Sequence, residues 1–195
     1  MIDLVIATGN KGKLREISRL LEGSPFQVLG LDRFPDAPDV VEDGDSFRAN
    51  AVKKASAIAA HTGSLTLADD SGLVVDALDG APGVHSARYA GDAATDADNN
   101  RKLLDELTGV AEHERTAAFK CVMALVRQDG TIKTYEGELK GVVLQQLQGD
   151  GGFGYDPECM VREYCQTLAE LPLDVKNRIS HRGQALAKVL ADLNR

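Results

Sequence analysis

Four short segments of the chain carry residue types able to hold a charged, oxygen-rich ligand. In the first, Thr8-Gly9-Asn10-Lys11-Gly12-Lys13 sets a hydroxyl, an amide, two glycines and two lysines behind the apolar run of residues 2–7. A helical pattern with Leu14, Ile17, Leu20 and Leu21 on one face follows. Strand, glycine-containing loop and helix start together aim backbone N–H groups at an anion, and Lys13 adds a point charge. The common NTPase phosphate loop is excluded. It needs four residues before Gly-Lys and then Ser or Thr, whereas here two intervene and Leu14 follows. Taken alone, the segment is equally compatible with a polar turn that caps a helix.

Ala68-Asp69-Asp70-Ser71-Gly72 sets two carboxylates side by side. Their repulsion needs a cation or hydrogen-bond donors, and Mg²⁺, which takes oxygen ligands, suits Asp69 and Asp70. An Asp-Ser-Gly turn is the bland alternative. In Gly151-Gly152-Phe153-Gly154-Tyr155-Asp156-Pro157, the glycines permit close backbone approach and Phe153 can stack on a base; a flexible turn with a core Phe fits as well. Lys176-Asn177-Arg178-Ile179-Ser180-His181-Arg182-Gly183 opens the last helical pattern with cations. That placement opposes the helix dipole unless an anion or electron-rich group lies nearby. A solvated helix start is the other reading.

The positioning elements are legible from periodicity. A strand over 2–7 leads into the first helix, and a second helix starts after Ser46, a good cap, with Phe47, Ala51, Ala55 and Ile58 at helical spacing. Two strands, 65–68 and 73–77, are expected on either side of residues 69–72. A helix over 95–107 has Thr95 as its cap. Residues 116–127 and 131–138 flank Asp129-Gly130, a hairpin signal. A further strand is expected over 141–147, and a closing helix over 180–193 with Leu186, Val189, Leu190 and Leu193 inward. Interspersed strands and helices with hairpins predict an α/β domain on a mixed sheet.

Length and composition narrow the class. The 195 residues suffice for one domain with a substantial core, and 43% hydrophobic with 27% charged residues are the proportions of a folded protein. No window nears the roughly 18 apolar residues of a membrane span, and Met1 runs straight into a core-like strand without a basic leader, so a cytoplasmic, membrane-free protein is expected. Three cysteines without a Cys-x-x-Cys pair suggest neither a disulfide framework nor a zinc site, and Cys121 reads as a small buried hydrophobe. The net charge of −8 disfavours a nucleic-acid polymer as partner. Small basic islands at Lys11-Lys13-Arg15, Lys53-Lys54 and residues 176–182 suit a small anion instead.

Six motifs occur in a specific order: Ala7-Thr8-Gly9-Asn10-x-Gly12-Lys13, Phe47-x-x-Asn50-Ala51-x-x-Lys54-Ala55, and Ala68-Asp69-Asp70-Ser71-Gly72-Leu73. They continue with Gly80-Ala81-Pro82-Gly83-x-x-Ser86-Ala87-Arg88-Tyr89, then Phe153-Gly154-Tyr155-Asp156-Pro157, and finally Lys176 with Ser180-His181-Arg182. Each is weak alone. In this order, over Leu4 to about Leu190, they resemble the inosine/xanthosine triphosphate pyrophosphatase family, which removes non-standard purine nucleotides. The resemblance implies one elongated, two-lobed α/β domain over residues 1–195, built around a long mixed sheet with a cleft between the lobes, and a homodimer. It also implies that Thr8, Gly9, Asn10, Lys11, Gly12 and Lys13 hold the phosphates of a nucleoside triphosphate. Asp70 would bind Mg²⁺ and accept a proton from the attacking water, while Lys54 and Lys13 stabilise the triphosphate. Ser71 would touch substrate, and Phe153, Gly154, Tyr155, Asp156, Lys176, His181 and Arg182 would hold base and sugar.

One departure bears on activity. The family usually has Thr-Phe-x-Glu-Asn-Ala where this chain has Ser46-Phe47-Arg48-Ala49-Asn50-Ala51. The glutamate is a metal ligand in the family, and in this position it can also close a capping box. Ala49 therefore predicts weaker Mg²⁺ binding and impaired hydrolysis. Cys159 and Met160, where aromatic residues are usual, bear on packing. The expected reaction is hydrolysis of ITP, dITP or XTP to monophosphate and pyrophosphate. A donor from Arg182 or a backbone N–H would select the 6-oxo group, since an unmatched buried donor costs roughly 1–3 kcal/mol. A catalytically disabled nucleotide-binding protein and a pyrophosphatase for other modified nucleotides are the alternatives. A serine hydrolase is disfavoured because Asp70-Ser71-Gly72 lacks the glycine-flanked elbow, and a zinc protease by the absence of His-Glu-x-x-His.

Overall fold

The computed structural model describes residues 1–193. Seven strands form one mixed sheet: β1 (Ile2–Ile6), β2 (Phe26–Leu29), β3 (Thr66–Val75), β4 (Thr116–Val126), β5 (Ile132–Val143), β6 (Cys159–Val161) and β7 (Gln166–Thr167), in the order β2-β1-β3-β4-β5-β6-β7. β1 runs parallel to β2, with Ile2 opposite Phe26, and parallel to β3, with Val5 opposite Thr66. β6 is antiparallel to both β5 and β7. The five helices are α1 (Lys11–Leu20), α2 (Phe47–Thr62), α3 (Asp96–Glu106), α4 (Leu173–Ile179) and α5 (His181–Leu193). None of the described helices is long and apolar enough to cross a membrane.

The chain divides into two compact units. The first takes residues 1–70, 121–137 and those from Arg182 onward; the second takes 71–120 and 138–181. In the first unit the sheet is covered on both faces. Leu4 and Ile6 of β1 join Leu67, Met123 and Leu125 in a core with Ile17 of α1 and Leu186 and Val189 of α5. Val5 and Ala7 point the other way, joining Ala68, Val122 and Ala124 against Ala51, Ala55 and Ile58 of α2. Successive strand residues alternate faces, so a strand covered on both sides reads as an unbroken apolar run. That is why residues 2–7 announce themselves so clearly. Cys121 is buried among these apolar residues, as its sequence context predicts. In the second unit Leu73, Val75, Ala117, Phe119 and Val143 pack with Leu103 of α3 and Leu107, the residue that caps its end.

Helix starts follow the capping chemistry. Asn10 accepts from the Lys13 N–H at 3.0 Å, Ser46 from the Ala49 N–H at 3.3 Å, and Thr95 forms a complete capping box with Asp98. Gly63, at φ 64°, closes α2 in the left-handed region. The Asp129-Gly130 turn links β4 and β5 through an Arg127 N–H to Thr131 carbonyl bond of 2.9 Å.

Three expectations are corrected. Residues 69–72 do not separate two strands, because β3 passes through them without a break. The expected strands 131–138 and 141–147 likewise run together: β5 passes unbroken from Ile132 to Val143, and residues 144–147 lie outside it. The basic segment does not open a single helix: Lys176, Asn177 and Arg178 lie in α4, Ser180 is extended at ψ 154°, and α5 begins at His181. Strands β2, β6 and β7 carry little periodicity of their own and escape sequence reading. The reason β3 tolerates Gly72 is a close approach. A Cβ there would strike the Gly83 carbonyl at 2.5 Å, whereas the bare glycine lets the Ser86 hydroxyl accept from the Leu73 N–H and donate to that carbonyl.

Candidate active site

Two clusters of polar side chains sit on this scaffold, one in each unit. In the first unit, α1 and the loop before it present Thr8, Asn10 and Lys13. Asn10 caps the helix that follows, so the segment is both a capped helix start and a lysine-bearing loop. Thr8 is buried and its hydroxyl accepts from the Asn10 N–H, while Gly9 and Lys11 are exposed and Gly12 is half-buried. Strand alternation then sends the two aspartates to opposite faces of β3. Asp69 follows Leu67 toward α1 and α5; Asp70 follows Ala68 toward α2.

Each carboxylate finds its own partners. Asp69 Oδ2 lies 3.1 Å from Lys13 Nζ and 3.4 Å from both Nε and Nη2 of Arg182, whose Nη1 reaches Glu16 at 2.5 Å. Burial raises the Asp69 pKa, but Lys13, Arg182 and Lys54 more than offset this and hold the carboxyl well below its usual range. Asp70 accepts from Asn50 Nδ2 at 3.0 Å, and Asn50 in turn accepts from the Gly44 N–H at 2.8 Å. Burial pushes the Asp70 pKa up to about 6, with Glu42 adding to the rise and Lys54, Lys13 and the Asn50 bond opposing it. Lys54, buried on α2, pairs with Glu42 at 2.9 Å.

Asp69 and Asp70 point to opposite faces of β3, and Asp69 pairs with Lys13 and Arg182 while Asp70 is held by Asn50. Glu42 is the acidic group that sequence reasoning missed. It lies in an irregular stretch without periodicity, and only the fold brings it to Lys54 and within electrostatic reach of Asp70. Ala49 is exposed at the start of α2, with the Ser46 cap intact as predicted. Lys13 and Lys54 both act electrostatically on Asp70.

The second unit gathers Phe153, Asp156 and Lys176. Asp156 Oδ2 accepts from Lys176 Nζ at 2.6 Å and from the Phe153 N–H at 2.8 Å, and both charged residues are almost wholly buried. The Lys176 ammonium lies 5.0 Å from the Phe153 ring centroid. Gly152 at φ 75° and Gly154 at φ 61° make the turn, and a side chain at 152 would collide with the Asp156 carboxylate. The Gly154 N–H donates to Asp96 at 2.7 Å and its carbonyl accepts from Asn100 at 3.1 Å. Tyr155 is a buried anchor whose hydroxyl donates to the Ser86 carbonyl at 2.8 Å. Ser71, half-buried on β3, begins this unit. His181 is stacked on Phe119 with ring centroids 5.0 Å apart. Its neighbour Arg182 belongs to the first unit, since consecutive helix residues face about 100° apart. The sequence reading grouped these two residues for one task; the structure gives them different surroundings.

Glu158 adds a buried carboxyl that sequence reasoning passed over. It is 0% exposed, and neither oxygen has a hydrogen-bond partner among the described residues. Burial, only partly countered by Arg115, pushes its pKa from 4.5 up to about 8. The folded chain thus keeps a proton that the unfolded chain releases above 4.5, so stability falls as pH rises between about 4.5 and 8 and levels off beyond. Glu158→Met is expected to flatten that slope and to raise stability at pH 8 by on the order of 2–4 kcal/mol. Urea unfolding at pH 5, 6.5 and 8 checks it; parallel curves for the two proteins would refute the assignment.

A sequence profile of the Ham1 family matches residues 4–192. The chain belongs to the Ham1 family. It is 59% identical to the dITP/XTP pyrophosphatase of Geobacter sulfurreducens over 96% of this chain and 94% of that protein, and 55% identical to the dITP/XTP pyrophosphatase of Desulforamulus reducens over 98% and 96%. Among solved structures, a HAM1 protein from Coxiella burnetii superposes with a TM-score of 0.90 at 40% identity, covering 100% of this chain and 99% of that one. A nucleoside-triphosphatase / dITP/XTP pyrophosphatase from Mycobacterium abscessus gives 0.78 at 42%, covering 97% and 99%. The Ham1 fold is thus the α/β architecture with a mixed sheet that the sequence predicts.

Proposed function

We propose that this Ham1 protein hydrolyses non-standard purine nucleoside triphosphates, ITP, dITP and XTP, to the monophosphate and pyrophosphate. The observation that carries the reading is the buried Asp70, hydrogen-bonded by Asn50, its carboxyl pushed up to about 6 and within electrostatic reach of Lys13 and Lys54. A base of that pKa can take a proton from water near neutral pH. Two ammonium groups beside it can stabilise charge growing on a leaving pyrophosphate. The names of relatives more than half identical to this chain support the substrate class.

In this reading Thr8, Gly9, Asn10, Lys11, Gly12 and Lys13 receive the phosphates through N–H groups and the Lys13 charge. Asp70 accepts the proton of the water that attacks at the α–β anhydride, and Asn50 fixes the carboxylate's orientation. Phe153, Tyr155, Asp156 and Lys176 hold base and sugar, with Ser71 and His181 as further substrate contacts. Arg182, held by Glu16 and Asp69, keeps further N–H groups, and a donor from it or from a backbone N–H selects the 6-oxo group.

Asp70 and Glu42 fit a magnesium ion. They are hard oxygen donors, with Glu42 close enough to raise the proton affinity of Asp70, and Mg²⁺ is typically held by one or two carboxylates plus phosphate oxygens. When bound, it would neutralise phosphate charge and acidify water. With Glu42 at hand, Ala49 does not leave Asp70 as a lone carboxylate. The protein is proposed to work as a homodimer in the cytoplasm; a solution mass of twice 20.8 kDa tests the first point.

Pyrophosphate release from ITP, dITP, XTP, ATP and GTP, with and without Mg²⁺, tests the activity. The 6-oxo substrates are expected to exceed ATP by up to about 10⁴-fold in kcat/KM. A disabled nucleotide-binding protein, the reading that Ala49 favours, would bind ITP without turnover both as it stands and as Ala49→Glu. Glu42→Gln is expected to raise the Mg²⁺ concentration needed for half-maximal rate by about 10-fold; an unchanged requirement would remove Glu42 from the metal site.

A further inference from the structure

Glu16 is a buried carboxylate on the core-facing side of α1, next to Ile17, where an apolar residue would be expected. A buried charge is costly unless paired. Its partner is Arg182, 2% exposed, at 2.5 Å. Lys13 and Glu16 stand three residues apart and so share a face of α1. Between them a row of alternating charges forms: Glu16, Arg182, Asp69, Lys13. One oxygen, Asp69 Oδ2, receives both cations, Lys13 at 3.1 Å and Arg182 at 3.4 Å through two nitrogens. The contacts of Arg182 are thus short to Glu16 and long to Asp69.

From this asymmetry we infer that Glu16 is a positioning residue: by holding Arg182 back, it leaves Asp69 Oδ2 to Lys13 and so fixes the ammonium that faces the phosphates. The inference rests on the proposed role of Lys13. A guanidinium grips a carboxylate best as a two-pronged fork. Once Glu16 loses its charge, the buried Arg182 turns to Asp69 and closes on Oδ2. Lys13, on a stem with four rotatable bonds, is then displaced.

The test compares wild type, Glu16→Gln, Glu16→Asp, Lys13→Met and the Glu16→Gln/Lys13→Met and Glu16→Asp/Lys13→Met double variants. Calorimetry measures binding of inorganic pyrophosphate; kcat and KM for ITP and the melting temperature are recorded alongside. Glu16→Gln is expected to weaken pyrophosphate binding and to lower kcat/KM for ITP by about 10-fold each, the loss falling on kcat as well as KM because Lys13 also stabilises the leaving group. Glu16→Asp keeps the charge and should lose only about threefold. In the Lys13→Met background, Glu16→Gln should have no further effect on pyrophosphate binding. A lower melting temperature with unchanged pyrophosphate affinity would reduce Glu16 to a structural residue and overturn the inference. An equal loss in the Lys13→Met background would overturn it too, since the route through Lys13 would be wrong. If Glu16→Gln does not fold, the Glu16→Asp loss and its disappearance in the Lys13→Met background decide the same question. Wild-type protein that failed to bind pyrophosphate would sink the phosphate assignment itself, which is a different result from a silent Glu16.

Discussion

Asp70→Asn is expected to lower kcat for ITP by about 10³-fold or more while leaving the protein folded, because a general base contributes typically 10²–10⁴. The amide matches the carboxylate in shape but cannot accept a proton. Asn50 can still donate to the new side-chain oxygen, so the geometry around β3 and α2 survives. Removing a charge from a site only 4% exposed also relieves desolvation, which keeps the fold from suffering. The measurement is single-turnover hydrolysis at saturating ITP and Mg²⁺, with a melting curve as control. Turnover within tenfold of the parent would show that Asp70 is not the base, whatever its surroundings. Asp69→Asn should differ. It strips Lys13 and Arg182 of their shared anion, so melting temperature and activity should fall together.

Lys176→Met has the other large effect, and on stability first. The lysine and Asp156 are 3% and 4% exposed and joined at 2.6 Å. Removing the cation leaves a buried carboxylate that still accepts from the Phe153 N–H but has lost its counter-charge. Breaking such a pair costs about 3–5 kcal/mol, or roughly 10 °C in Tm for a chain of this length. Adding Asp156→Asn removes the stranded charge and should restore much of the loss, since the amide still accepts from the Phe153 N–H. Affinity for ITP should not return with it, because the Lys176 ammonium beside the Phe153 ring is gone. Urea unfolding of the single and double variants, paired with KM, separates the two consequences. A single variant as stable as wild type would mean that the pair contributes nothing.

The motifs legible in sequence were those in which local chemistry and function coincide. Asn10, Ser46 and Thr95 each cap the helix that their spacing announces, and the run from Leu4 to Ala7 is buried as its composition demands. Residues 69–72 misled for a physical reason. Asp, Ser and Gly favour turns when only neighbours in sequence are considered. The cations and amide that let two aspartates lie inside a strand come from Lys13, Asn50 and Arg182, up to 113 positions away. No window of sequence contains that compensation. Glu42 and Glu16 were missed on the same ground, because a lone glutamate in an irregular stretch or a helix carries no signal until its partner is placed.

By itself, then, the amino-acid order determined β1 and the helices α1, α2 and α3 with their caps, and the polar segments from which the two clusters are drawn, because these depend on backbone preferences and side-chain types read over a few positions. Only the tertiary structure decided which charge meets which. It turned Asp69 to Lys13 and Arg182 and Asp70 to Asn50, placed Glu42 beside Lys54, and parted His181 from Arg182 at a helix start. Electrostatic pairing depends on distance in space, and strand alternation with helix rotation sets that distance independently of separation along the chain.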